Sequence, residues 1–263
     1  PAAADTSGTE SNARHDVLAG LGRLAEVHDR PDLAEAAAAA SRRLTSTAFR
    51  IVVAGEFKRG KSSLVNALID APVSAVDDDI ATAARLEIGF ADPPAARRWW
   101  RPTDGDDGAV VDAPIPVGEA AAASTDPATR MVRVGIPRRL LARGVVLVDT
   151  PGVGGIGSAN ALVTASTLGE AHAVLFVTDV SQELTAAEAS ALVDATRRCR
   201  HVVLVETKTD LYPHWRTIVD TDRGHLDDLG LSIPIVPVSN QLRSMALRAN
   251  DSDLNAESGF PRL

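Results

Sequence analysis

Of some residue types the 263-residue chain holds almost nothing: one cysteine, two methionines, one tyrosine and three lysines. The lone Cys199 excludes an internal disulfide framework and any cysteine-rich zinc site, and the six histidines show no metal-ligand spacing. No apolar run approaches the roughly 18 residues of a membrane-spanning helix; Val202–Val205 and Ala173–Val177 are typical in length. Acidic residues outnumber basic ones, 35 to 27. The net charge of −8 argues against a nucleic-acid footprint and against simple docking on anionic lipid, both of which need basic patches. The first ten residues lack the basic region and apolar core of a secretory signal. The chain opens with Pro instead of Met, as a fragment or processed product would.

What is present fits a globular protein. Hydrophobic residues make up 45% and charged residues 24%, and this length buries a full core without staples. It suits one large domain, alone or with an appendage. Residues 1–13, small and polar, read as disordered. Residues 14–48 carry helical spacing, with Val17, Leu21 and Leu24 followed by Leu33, Ala36, Ala37, Ala40 and Leu44. Pro31 divides this stretch into two helices, with Asp29 as N-cap of the second. The pair either flanks the domain or forms half of a helix bundle.

From Phe49 onward, apolar runs alternate with helical patterns. The runs are Arg50–Ala54, Arg85–Phe90, Met131–Ile136, Val145–Val148, Ala173–Val177, Val202–Glu206 and Ile235–Val238. The helical patterns are Lys61–Ile69, Ala159–Leu168, Ala186–Arg198, Trp215–Leu229 and Gln241–Ala249. Such alternation predicts an α/β fold with a mostly parallel sheet and flanking helices. Ala91–Arg130, rich in Pro, Asp and Ala, reads as the loosest part of the chain, a connection between two strands, with Arg97–Arg101 extending one of them and one or two helical turns near Ala120–Ala123.

Three motifs follow three of the predicted strands. The first runs Gly55, Glu56, Phe57, Lys58, Arg59, Gly60, Lys61, Ser62 and Ser63, between a strand and a helix, the context of a phosphate-binding loop. Glycines free the backbone, successive N–H groups and the helix N-terminus face the phosphates, Lys61 reaches the β- and γ-phosphates and Ser62 ligates Mg²⁺. In the second, Asp149 ends a buried strand where it can hold Mg²⁺ through water, and the N–H of Gly152 can contact a γ-phosphate. Gly154, Gly155 and Gly157 give the next segment freedom to switch. In the third, Thr207-Lys208-Thr209-Asp210, the Asp210 carboxylate can accept two hydrogen bonds from guanine, a pair adenine cannot supply, and so selects GTP. The Lys208 stem lies along the base. Ser239 and Asn240 are placed to close over the base through backbone N–H groups. A first-switch Thr that joins Mg²⁺ beside a γ-phosphate is expected at Thr82, with Thr103 as the alternative. Two of the three lysines, and by this reading all three, lie at the nucleotide.

The run Gly55–Ile69, with Leu147–Gly152, Val174–Leu184, Thr185, Glu188, Thr207–Asp210 and the closing Ser258-Gly259-Phe260-Pro261, resembles the bacterial dynamin-like GTPases. The segment Val76–Thr82 is most similar to the isoniazid-inducible members of mycobacteria. The resemblance implies a P-loop GTPase head over residues 49–249, neck-type helices over 14–48, and a connection over 250–263 towards a neck and stalk. It implies hydrolysis of GTP to GDP, weak nucleotide-dependent pairing of heads or pairing with a related partner, and membrane remodelling through regions outside this chain. It also implies a cytoplasmic location, peripheral at the inner face of the cell membrane. Asp77–Asp79 stand where many relatives carry Pro-Thr-Thr. Val153 stands where a water-orienting Gln would be, as is usual in dynamin relatives, so water positioning falls to backbone, to the Thr82 segment or to a partner. Lys58 occupies the position that helps relatives hold a monovalent cation, so its ammonium either substitutes for that cation in catalysis or faces solvent. A ribosome-assembly GTPase shares the motifs but calls for a basic RNA-binding appendage. A GTP-binding scaffold without turnover is the other alternative.

Overall fold

The computed structural model describes residues 6–45, 48–76, 84–101, 110–151 and 167–263. Two helices, α1 (Thr6–Val27) and α2 (Pro31–Thr45), precede the sheet. Strands β1 (Phe49–Gly55), β2 (Arg85–Gly89), β3 (Ala95–Trp100), β4 (Val111–Ile115), β5 (Thr129–Gly135), β6 (Val145–Asp149), β7 (Ala173–Asp179), β8 (Val202–Thr207) and β9 (Ile235–Pro237) follow. Between and after them lie α3 (Lys61–Ile69), α4 (Ala120–Thr125), α5 (Ala186–Arg198), α6 (Trp215–Asp228), α7 (Asn240–Ala249) and α8 (Ser252–Glu257).

The strands form one sheet in the order β4-β3-β5-β2-β6-β1-β7-β8-β9. From β6 to β9 every pairing is parallel. Beyond β6, β2 runs antiparallel to it, β5 parallel to β2, and β3 antiparallel to both β5 and β4. Successive side chains of β1 point to opposite faces, so Val53 enters one core with Leu64, Val65, Leu147 and Val177. Val52 and Ala54 enter the other with Val148, Phe176, Leu192 and Leu204. Burial on both faces is why the central strands read as continuous apolar runs.

All seven strands expected from sequence are present, with ends shifted by one or two residues. Helices α3 and α5 have the expected bounds; the pattern Ala159–Leu168 lies mostly outside the described residues. Three expectations are corrected. Residues 6–13, read as disordered, continue α1, because extending a helix already nucleated costs little even in a polar stretch. Asp29 does not cap α2. It adopts a left-handed φ of 53° in the turn, and the Arg30 carbonyl accepts the N–H groups of Leu33 and Ala34. In the stretch 91–130 the helical turn expected near Ala120–Ala123 is α4, but the extended segment expected at Arg97–Arg101 is a strand of its own, β3, paired with β5 and with the unexpected β4. Trp99 and Trp100 alternate across β3, with Arg133 over the first ring and Arg98 over the second.

On α1, Val17, Leu21, Leu24 and Val27 stay exposed, while Ala25, Ala37 and Ala39 are buried, Ala37 beside Gly22 of α1 and Ala39 beside Gly169. No helix among the described residues is long and apolar enough to cross a membrane. On β2, Glu87 is buried among Arg50, Arg85 and Arg133. Burial works against its charge, but the three arginines prevail and hold its pKa at about 2.

Candidate functional site

The carboxyl ends of β1, β6, β7 and β8 lie side by side, registered by Val53↔Asp149, Gly55↔Val177 and Asp179↔Thr207. This edge is where a doubly wound sheet offers a crevice for a ligand. Gly55 leaves β1 at φ 145°, and a Cβ there would stand 2.1 Å from the Val177 carbonyl oxygen. Gly60 (φ 91°) opens α3 with no side-chain cap. The helix therefore begins with N–H groups left for an anion rather than for a serine or aspartate.

Lys61, 6% exposed, curls back to donate to the Glu56 carbonyl at 2.7 Å. Burial lowers its pKa, opposed by the charges of Asp149 and Glu56. Asp149 is fully buried and neither carboxylate oxygen has a full hydrogen bond among the described residues. Burial raises its pKa; the nearby Ser62 hydroxyl, the Lys61 ammonium and the Ser74 hydroxyl act in the opposite sense. A buried acid with orphaned oxygens beside a hydroxyl is a donor set for a hard, oxygen-seeking cation, so Ser62 and Asp149 fit Mg²⁺. Thr82, Gly152 and Asp77–Asp79 lie outside the described residues. Phe57 and Lys58 are exposed, with the Lys58 ammonium 5.5 Å over the Phe57 ring.

Beside the loop a cavity of about 360 Å³ is lined by Gly60, Ser63, Lys208, Asp210, Leu211 and Asn240, among others. The Lys208 ammonium donates to the Lys58 carbonyl (2.9 Å) and Asp179 (2.6 Å), which stretches its stem along the cavity wall. Thr207 Oγ1 lies 2.6 Å from the Arg59 carbonyl, tying the third motif to the first. Ser239 Oγ donates to Asp210 Oδ1 at 2.6 Å and accepts from Leu242 N, so one hydroxyl both caps α7 and aims the carboxylate.

One expectation changes here. The Ser239 N–H does not close over a base, because it donates to the Ser258 carbonyl at 2.9 Å. The reason is the terminal segment, which folds back: Gly259 adopts φ 79° against the Pro237 carbonyl and Phe260 enters the core. Asn240 faces the loop through its side chain, with Nδ2 3.3 Å from the Gly60 carbonyl. The Arg59 guanidinium is engaged with Asp179, Glu188 and Glu56, leaving its backbone for the loop.

Sequence reasoning missed Asp179, although an acid ending a buried strand is the same signal that singled out Asp149. It also missed Asn66, whose amide takes the N–H groups of Val73 and Ser74 and donates to the Ser74 carbonyl, pinning the segment after α3.

One residue before the third motif, buried Glu206 faces Asp222 of α6. Burial, then the Asp222 charge, raises Glu206 to about 8. Asp222 is also raised by burial, while its Oδ1 accepts from Leu184 N at 2.8 Å. Between the ordinary carboxylate range and about pH 8 the folded chain keeps a proton that the unfolded chain has lost. Stability therefore falls as pH rises through that window. Glu206→Gln is expected to flatten this slope and to raise Tm at pH 8.5 by roughly 4 °C. Thermal melts at pH 6 and 8.5 check it; parallel profiles for variant and parent would refute the retained proton.

Residues 51–208 match the profile of the dynamin family. The isoniazid-induced protein IniA of Mycobacterium tuberculosis is 39% identical over 249 residues, covering 91% of this chain and 38% of that protein. An uncharacterized protein in the xynA 3′ region of Caldicellulosiruptor is 26% identical over 184 residues, 64% of this chain and 42% of the other. The chain thus spans well under half the length of these curated relatives. Among solved structures, an oligomerised bacterial dynamin pair, described as a mechanism for long-range sensing and tethering of membranes, superposes with a TM-score of 0.68. Sequence identity is 17%, over 96% of this chain and 42% of that one; at that identity the likeness concerns the fold.

Proposed function

The chain belongs to the dynamin family, and from that membership we propose that it is a GTP-hydrolysing head whose turnover drives head pairing and membrane remodelling in a longer protein. The observation that carries the reading is the convergence of Gly60, Lys61, Asp149, Lys208 and Asp210 on one sheet edge, with a base-sized cavity beside an uncapped helix N-terminus.

In this reading the α3 N-terminus and the loop N–H groups hold the β- and γ-phosphates, and Lys61 leaves the Glu56 carbonyl to neutralise them. Ser62, with Asp149 through water and Thr82 from the first switch, would hold Mg²⁺, which when bound offsets the charge that develops on the phosphates. Gly152 would sense the γ-phosphate. Lys58, exposed at the loop's mouth, supplies positive charge where the β–γ bond breaks, in its own head or a paired one. Asp210 and Lys208 read guanine, helped by Ser63 and Asn240. Residues 14–48 serve as neck helices, the exposed stripe Val17–Leu21–Leu24 facing the rest of the bundle. The head works in the cytoplasm, at the inner face of the membrane, and takes no nucleic acid.

Turnover of GTP but not ATP, measured as phosphate release in Mg²⁺ buffer, tests the reading. Asp210→Asn is expected to weaken GTP by about 10- to 100-fold and to favour xanthosine nucleotides, whose altered edge suits an amide. Equal use of ATP and GTP by the parent would overturn the base assignment, and binding without turnover would favour a scaffold.

A further inference from the structure

Arg59 lies in the phosphate loop, and its guanidinium reaches two carboxylates of other elements and, at longer range, one of the loop itself. Nη1 is 3.1 Å from Asp179 Oδ1, Nε is 2.9 Å from Glu188 Oε1, and Nη2 is 3.5 Å from Glu56 Oε2. The second oxygen of Asp179 takes the Lys208 ammonium at 2.6 Å, and that ammonium also donates to the Lys58 carbonyl at 2.9 Å. A charged chain therefore runs from the start of α5, through the phosphate loop, to the third motif and back to the loop. Its acids are fixed. Glu188, 0% exposed, closes a capping box with Thr185 and accepts from Thr178 Oγ1 at 2.8 Å. Asp179, 3% exposed, accepts from Ser181 N. Burial works against its charge, but Lys208 and Ser181 outweigh burial and hold its pKa below the ordinary range.

We propose that Asp179 and Glu188 are positioning residues for nucleotide binding: they hold the phosphate loop in its binding shape through Arg59, and Asp179 joins that loop to the base-reading motif by gripping Arg59 and Lys208 together. This rests on the GTP-site reading above. The loop needs such support because Lys58 and Gly60 both adopt positive φ, 64° and 91°, and for Lys58 that conformation is strained. Lys208 adopts φ 65° as well. A loop held in shape beforehand binds without a further ordering cost.

The test uses Arg59→Gln, Asp179→Asn, their double variant, and Glu188→Gln, which keeps hydrogen-bonding groups for the capping box. The first readout needs no nucleotide. Arg59→Gln is expected to speed amide hydrogen exchange about tenfold both in residues 56–61 and in residues 207–210, although only the first segment carries the substitution. Unchanged exchange in 207–210 overturns the coupling. The second readout is affinity for GTP and GDP. Asp179→Asn and Glu188→Gln should weaken both nucleotides by a common factor, about 10- to 100-fold, in protein that still melts cooperatively. The double variant should lose less than the product of the two single losses, because each single variant already removes the Arg59–Asp179 pair. Losses that multiply in the double variant, or unchanged affinity in Glu188→Gln and Asp179→Asn, overturn the proposal. A parent chain that does not bind GTP overturns the site reading instead, and the exchange readout still decides whether the loop and the third motif move as one.

Discussion

Lys61→Ala is expected to lose about a hundredfold or more in GTP affinity while the chain stays folded. The ammonium is buried beside Asp149 and already bonded within the loop, to the Glu56 carbonyl at 2.7 Å. Its removal deletes the charge that meets the phosphates. It also leaves Asp149 without a cation, so the acid's pKa, already raised by burial, should rise further. Folding should suffer little. Lys61 is the first residue of α3, alanine is the better helix former, and the desolvation of the ammonium disappears with it. Calorimetric titration with GTP and a thermal melt on the same sample separate the two effects. An affinity within threefold of the parent, or a collapse of Tm matching the loss of binding, would remove Lys61 from the phosphate site.

Gly55→Ala should be the most damaging substitution for the fold itself. The backbone at Gly55 takes φ 145°, and the new Cβ would stand 2.1 Å from the Val177 carbonyl oxygen, a backbone atom of the neighbouring central strand. No rotamer relieves that contact, so β1 and β7 must part, at a cost of roughly 3–5 kcal/mol, comparable to gross overpacking of a core. Gly224→Ala is the matched control. It lies inside α6 with nothing within 4 Å of its Cβ, and should gain about 0.5–1 kcal/mol from reduced unfolded-state freedom. Urea denaturation of both variants checks the contrast; similar midpoints would mean that β1 and β7 are not packed as described.

Much of the architecture was legible because the signals were local. The pattern Lys61–Ile69 follows a strand and a glycine, and Ala186–Arg198 starts at a capping box written into Thr185 and Glu188. β3 gave only a weak signal, as an extension over Arg97–Arg101, and β4 gave none. β3 carries two arginines and two tryptophans, and β4 contains Pro114 at the edge of the sheet. Their apolar alternation is interrupted, and they are strands because β5 offers a pairing edge to β3 and β3 in turn offers one to β4.

The chain's own residues determined the order of loop, acid and base motifs and the chemistry each can perform, since glycine freedom, lysine charge and carboxylate acceptors belong to the side chains and backbone themselves. Tertiary structure alone decided what each group meets. Arg59 follows Lys58 in the loop, yet its guanidinium finds Asp179 and Glu188, 120 and 129 positions away in sequence. Ser239 lost its backbone N–H to Ser258 because Phe260 is drawn into the core. Such partners depend on which strand ends the sheet order brings together, and a buried charge or N–H must pair with whatever stands there. That choice lies in the packing of β1 between β6 and β7, which no local pattern encodes.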